Sequence, residues 1–274
     1  MAPRLRRITH GRSLSSARLG PGVRAHPVLH PTRVEVPEHG HASASLSLVL
    51  TGAFRERRSE ATRDCGPLDV LFKPPGLPHA SATGAWATRT ITLSLDPSTL
   101  PAELAGARRA IQTTGGPVAT GLLEVARTLA DASEDPVCGA VVDSVLAELV
   151  RHARAGRAEV AEERSTAPER IPDAARRLAR GASVRSAAEV AGMHPVSFAR
   201  AFQRRFGLTP SVYRRRRLVA RAAAAIPGAE GRLAAVAHDV GFADQAHMTR
   251  AFRAETGLPP GAYRSLVAEL FRGA

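Results

Sequence analysis

Two sets of side chains in this sequence have the types and spacing to do chemistry. The first is imidazole. His39 and His41 stand two apart, and His79 closes the run Pro74-x-Gly76-x2-His79. Three imidazoles brought together are a ligand set for Zn, Fe or Ni. The second is guanidinium. Arg200 and Arg204, with Gln203 between them, recur in kind as Arg250 and Arg253 with Gln245. Arg pairs bidentately with guanine O6/N7 and Gln with adenine N6/N7, so an outward face of such residues reads base edges. Cys65 and Cys138 lie far apart and fit neither a metal nor a redox spacing. Two cysteines are too few for a disulfide framework, and a reducing cytoplasm is the expected compartment.

The guanidinium set is held by a unit written twice. Ala187 to Arg214 aligns without a gap on Ala237 to Arg264. Val190, Arg200, Ala201, Phe202, Gly207, Leu208, Pro210, Tyr213 and Arg214 recur as Val240, Arg250, Ala251, Phe252, Gly257, Leu258, Pro260, Tyr263 and Arg264. Two copies do not make a solenoid. In the first copy a short helix is expected over Ser183 to Val190 and a turn at Ala191-Gly192-Met193. A second helix starts at His194-Pro195, where proline suits the first helical position, and stops at Gly207, a C′ residue. Phe198, Ala201, Phe202 and Phe206 form its buried stripe. Val196, Ala199, Arg200, Gln203 and Arg204 form the opposite face. In the second copy Asp244 is the N-cap. Met248, Ala251 and Phe252 face inward, and Gln245, Ala246, Thr249, Arg250 and Arg253 face out. A solvated arginine face on an ordinary bundle is the plain alternative. Arg at one outward position in both copies favours reading.

The run Ala237-x2-Val240-Gly241-Phe242-x7-Arg250-x-Phe252-x4-Gly257-x2-Pro260-x2-Tyr263-Arg264 resembles the signature of the AraC/XylS-type bacterial transcription regulators. The resemblance covers the C-terminal third. His194 stands where that family usually has Ser, and His247 and Met248 where it has aromatics. It implies double-stranded DNA and a small-molecule effector as partners. RNA polymerase and a second copy of the chain are further partners on this reading.

The formal net charge is +13. From Pro168 to Ala274, 18 Arg stand against 8 acidic residues, so +10 of it lies there. Charge so placed points to a polyanion. Lys73 is the only lysine. Thr209 to Ile226 should form one helix between the modules, about 17 residues or roughly 25 Å, ended by Pro227-Gly228. It carries Arg214 to Arg217, of which Arg214 and Arg215 are assigned to DNA. No apolar stretch approaches transmembrane length, so no membrane partner is expected.

Residues 1–22 hold Arg, Ser and Gly and no acid, and read as a disordered leader. From 23 to 100 the signals are strands. Ser45-Leu-Ser-Leu-Val-Leu50 alternates, Leu68 to Phe72 ends at Lys73-Pro-Pro-Gly76, and Thr88 to Leu95 alternates throughout. A sandwich or jelly-roll barrel is implied. Its histidine runs resemble the two motifs of cupin barrels, in which three His and a Glu hold a metal. Here Ser45 stands at the approximate place of the Glu, with Gly52 correctly spaced after it. The other reading makes the three histidines turn and barrel-mouth residues, with no metal and no cofactor. The family resemblance gives them an effector-binding role instead, beside Trp86. Residues 101–155 are a helical bridge with helices at about Thr120 to Asp131 and Val137 to Arg154. Val137, Val141, Val145 and Leu149, with Val142 and Leu146 beside them, form either a dimer seam or a face packed on the barrel. Residues 156–168 read as a linker and 169–274 as the DNA-binding domain.

The expectation is therefore an α+β multidomain chain. A cupin-like β-barrel with following helices precedes an all-α domain of two helix-turn-helix modules joined by a long helix. It is expected to be a cytoplasmic, sequence-specific transcription regulator and no enzyme. The alternatives are a cupin-type metalloenzyme with an appended helical domain, or a constitutive DNA-binding protein with a vestigial barrel.

Overall fold

Strands form where Leu, Ile and Val alternate with Ser and Thr, because successive side chains of a strand point to opposite faces. A computed structural model describes residues 6–7, 11–58, 61–131, 137–162, 170–229 and 232–273. The strands are β1 (Arg6–Arg7), β2 (Arg12–Ser13), β3 (Ala17–Gly20), β4 (Val23–His30), β5 (Val34–His39), β6 (Ala44–Thr51), β7 (Phe54–Arg58), β8 (Ala61–Cys65), β9 (Asp69–Lys73), β10 (His79–Thr83) and β11 (Thr88–Leu95), with β12 (Ile111–Thr114) beyond the short helix α1 (Ala102–Ala105). They make two sheets. One has the order β1-β5-β10-β7-β8, and the other β12-β9-β6-β11-β4-β2, with β3 also on β4.

The sheets correct three expected boundaries. Within the expected leader, Arg12–Ser13 and Ala17–Gly20 are structured, since β2 and β3 pair antiparallel with β4. The barrel does not end at 100, since β12 completes its larger sheet by pairing with β9. Helix α3 (Val137–Glu162) runs through the first half of the expected linker. The rest of that linker lies outside the described residues.

The larger sheet is apolar on the face turned away from the barrel interior. Leu46, Leu48, Ile91, Leu93 and Leu95 have no exposed surface. They join one core with Val118, Leu122 and Leu123 of α2 (Gly116–Ala130) and Val142, Val145, Leu146 and Leu149 of α3. Val142, Val145, Leu146 and Leu149 of the α3 stripe are thus covered within the chain. Gly121 makes the close approach possible, since a Cβ there would lie 2.3 Å from Val145. A dimer through this stripe would have to displace α2.

The C-terminal helices are α4 (Ile171–Ala179), α5 (Val184–Ala191), α6 (Pro195–Phe206), α7 (Pro210–Ala225), α8 (Leu233–Val240), α9 (Gln245–Thr256) and α10 (Pro260–Leu270). Their ends follow local chemistry. Asp244 Oδ1 accepts from His247 N at 2.6 Å, the His194 ring accepts weakly from Val196 N at 3.4 Å, and Thr209 caps α7. Gly207 and Gly257 close α6 and α9 with φ of 66° and 73°, a left-handed conformation that β-carbons disfavour.

Candidate functional site

Helices α6 and α9 are anchored alike. Phe198 and Phe202, and Met248 and Phe252, have no exposed surface. The ring of Phe202 lies 5.2 Å from that of Tyr213, and Phe252 lies 5.4 Å from Tyr263, both edge-on. The opposite faces meet solvent. Val196, Arg200, Gln203 and Arg204 are exposed on α6 and Ala199 is half-buried. On α9 Gln245, Ala246, Arg250 and Arg253 are exposed and Thr249 is half-buried. The ten side chains expected on the reading faces of α6 and α9 therefore stand on two matching surfaces, joined by the 16 residues of α7.

The arginines of α7 are placed differently. Consecutive helical residues point about 100° apart, and Arg214 to Arg217 find partners on three sides of the helix within the chain. Arg214 donates to the carbonyls of Gly181 and Ala182. Arg215 and Arg216 donate to the two oxygens of Glu255, at 2.7 and 3.1 Å. Arg217 reaches Asp69 Oδ1 and Thr114 Oγ1 of the barrel. Arg214 is half-buried and Arg215 is exposed. Both guanidinium groups are engaged by the fold, and what they hold is α7 against its neighbours. Arg216 lies against Gly115 and Gly116, both at positive φ. A Cβ on Gly116 would fall 2.2 Å from its guanidinium.

Between the two sheets lies a cavity of about 310 Å³. His39, His41 and His79 meet on its wall, with ring nitrogens all within 4.8 Å of one another. β5 and β10 bring this about by pairing His39 directly with His79. His39 Nδ1 lies 2.8 Å from Pro37 O and His79 Nδ1 lies 3.0 Å from Leu77 O. Those carbonyls accept Nδ1–H, which leaves the Nε2 atoms as the lone-pair nitrogens. Lys73 Nζ sits 2.9 Å from His79 Nε2 and 3.5 Å from Glu56 Oε2. An ammonium therefore occupies the lone pair that a metal would take, and Ser45 lines the cavity where a ligating carboxylate was sought. Burial, with the Lys73 ammonium nearby, pulls His79 down to about 4, and the same causes pull His30 down to about 4.

Trp86 is a correction. It is 79% exposed on the turn between β10 and β11 and takes no part in the cavity. Lys73 and Glu56 are residues that the sequence reading missed. The one signal for Lys73 was its solitude in a chain whose other cations are all arginine. Glu56 gave none, because Arg-Glu-Arg-Arg reads as a solvated strand.

Two families match the chain. Residues 25–156 match the AraC-like ligand binding domain, and residues 187–265 match a helix-turn-helix domain. No curated protein matches. Solved structures give slight likenesses. ToxT from Vibrio cholerae O395 is 8% identical, with 93% of this chain and 100% of that one covered and a TM-score of 0.34. The DNA-binding domain of AdpA in complex with a target DNA is 23% identical over 40% of this chain and 100% of that one, with a TM-score of 0.35. Oxalate decarboxylase from Bacillus subtilis, a protein with Mn(II) centres, is 19% identical over 27% of this chain with a TM-score of 0.26. The chain spans only 21% of its length.

Proposed function

The chain belongs to the AraC/XylS type of transcription regulators, and from that premise we propose that α6 and α9 read base edges of double-stranded DNA in response to an effector held in the barrel. The observation that carries this is the pair of matching exposed faces, Arg200 with Gln203 and Arg250 with Arg253, each backed by a buried aromatic anchor. Val196, Ala199, Arg204, Gln245, Ala246 and Thr249 complete the two surfaces. Helix α7, at about 1.5 Å per residue, is roughly 24 Å long. Successive major-groove faces lie about 34 Å apart, so modest DNA bending would complete the fit.

The barrel serves as a binding chamber rather than a catalytic one, since its imidazoles face an ammonium in place of a metal. His39, His41 and His79 belong to the effector wall. The regulator acts in the cytoplasm, and RNA polymerase is its further partner through the family. A homodimer would use a face other than the covered stripe of α3. The domains run as barrel, α2 and α3, then the two-module reader.

The test is selection of bound sites from random DNA, followed by single-base variants of the selected operator. Arg200→Ala and Arg250→Ala should each cost about 1–3 kcal/mol and relax preference at one or two base pairs, about one helical turn apart. An unchanged preference profile in both variants would remove α6 and α9 as readers.

A further inference from the structure

The wall of the cavity formed by β6 and β11 is polar, while Val28, Val34, Val36, Phe54 and Leu71 line other parts of it. The alternation Ser45-Leu-Ser47-Leu and Thr90-Ile-Thr92-Leu-Ser94 sends every leucine and isoleucine out to the helices and every hydroxyl into the cavity. The register pairs Ser47 with Thr92, and their hydroxyls lie 3.0 Å apart. Such a floor offers hydrogen bonds rather than apolar contact. One polar atom of the cavity's residues, Ser45 Oγ, is buried without a hydrogen-bond partner among the described residues. Leaving such a group unmet costs free energy that a ligand can return.

The charge of the wall is specific too. The chain's only lysine points into this cavity. The Glu56 side chain has no exposed surface and pairs with Arg58 Nε at 2.7 Å as well as with Lys73. Two cations thus face one carboxylate, leaving one positive charge in excess. Lys73 has three N–H donors. One meets His79, one is directed at Glu56, and the third is available to a ligand. At neutral pH His30 and His79 are uncharged, since burial holds both near 4. Their rings add no further positive charge.

We propose that this cavity takes a small polyhydroxylated carboxylate, a monoanion of the sugar-acid class. The Lys73 ammonium meets the carboxylate, while Ser45, Ser47, Thr92 and Glu56 meet the hydroxyls. The inference rests on the effector reading above and adds the ligand's chemistry to it. A neutral polyol would leave the excess buried charge unpaired. An alkyl or aromatic acid would pair the charge and strand the hydroxyl floor, and sites built to hydrogen-bond a hydroxyl reject analogues that lack it. A volume of about 310 Å³ suits a molecule of monosaccharide size.

The experiment is calorimetric titration of the full chain with aldonates of four to six carbons, D-gluconate among them. Sorbitol and hexanoate serve as the neutral and the unhydroxylated counterparts. At least one aldonate should bind, at least about tenfold more tightly than either counterpart. Lys73→Gln should weaken it about tenfold or more, as loss of a charge-assisted bond does. Ser45→Ala guards against misfolding of that variant. It removes an unpartnered hydroxyl, so its melting temperature should stay level or rise while aldonate affinity drops severalfold. Absence of aldonate binding, equal binding of sorbitol or hexanoate, or full affinity in Ser45→Ala would overturn the proposal. DNA affinity measured with and without ligand separates the two claims. An aldonate that binds without altering DNA affinity leaves the ligand class standing and removes the effector reading. Sorbitol or hexanoate that binds and does alter it has the opposite meaning.

Discussion

The first helix-turn-helix module keeps its own core, whereas the second shares one with the barrel. Ile171, Ala174, Leu178, Ala187, Phe198 and Phe202 form a closed cluster with the half-buried Phe206 and Tyr213. Met248, Phe252, Tyr263 and Leu266 belong to the large core that also contains Leu46, Leu93 and Leu122. Two copies of one repeat thus pack differently, and a few positions explain it. Where the first copy has Arg205 the second has Glu255, which is almost fully buried and receives Arg215 and Arg216. Tyr263, without exposed surface, donates to Leu50 O of β6 at 2.6 Å. The repeat keeps the outward Arg200 and Arg250 and the inward Phe202 and Phe252, and varies the docking position held by Arg205 and Glu255. Reading and docking are therefore carried by separate positions of one unit.

The most severe way to break this contrast is to write the first copy's residue into the second. Glu255→Arg would place a third cation beside Arg215 and Arg216, at a cost of at least about 3–5 kcal/mol. Denaturant unfolding of the full chain should show it. A variant of unchanged stability would mean that the Glu255 pairs hold nothing together. Next come the anchors. Phe202→Ala and Phe252→Ala should each cost roughly 3–5 kcal/mol, with different reach. Hydrogen exchange should rise only over 171–206 in the first, and also in β6 and β11 in the second. Exchange confined to 233–270 in Phe252→Ala would contradict the shared core.

A smaller effect comes from pH. Folded His30 and His79 titrate near 4 against about 6.5 in the unfolded chain. Between these values the unfolded state binds more protons, so stability is full above about 6.5 and falls as pH drops towards 4. Allowing for solvent contact, the loss by pH 4.5 should be roughly 2–3 kcal/mol. It should loosen the barrel and second module before the first, as residue-resolved exchange at pH 7 and pH 5 would reveal. A first module that loosens earlier would reverse the comparison. The smallest effect is the tyrosine pair. Tyr263→Phe strands Leu50 O and should cost about 1 kcal/mol, while Tyr213→Phe should stay within about 0.5 kcal/mol. Thermal melts of both variants decide whether the Leu50 contact is what separates them.

Much of this was legible because it is local. A nine-position repeat, a glycine after each reading helix and an apolar residue every three or four residues fix the helices and their outward faces before any tertiary contact forms. The strands β6 and β11 announced themselves by alternation, and β9 by the turn that ends it. The strands before Val23 did not, because Arg12-Ser13 and Ala17 to Gly20 carry little strand preference and are held by pairing with β4. Trp86 was misplaced for a related reason, since proximity in sequence to His79 says nothing about which way a turn points.

What the sequence determined by itself was the two-module reader and its aligned arginines, because periodicity and capping act over a few residues. What only the tertiary structure decided was direction and partnership. Alternation showed that Ser45, Ser47, Thr90 and Thr92 share a face; packing of α2, α7 and α10 on the leucines made that face the inside. Composition showed a run of four arginines. Carbonyls and carboxylates at Gly181, Asp69 and Glu255, distant in the chain, tie its members to the rest of the fold. Long-range pairing of this kind depends on where the backbone returns, and no local pattern encodes that.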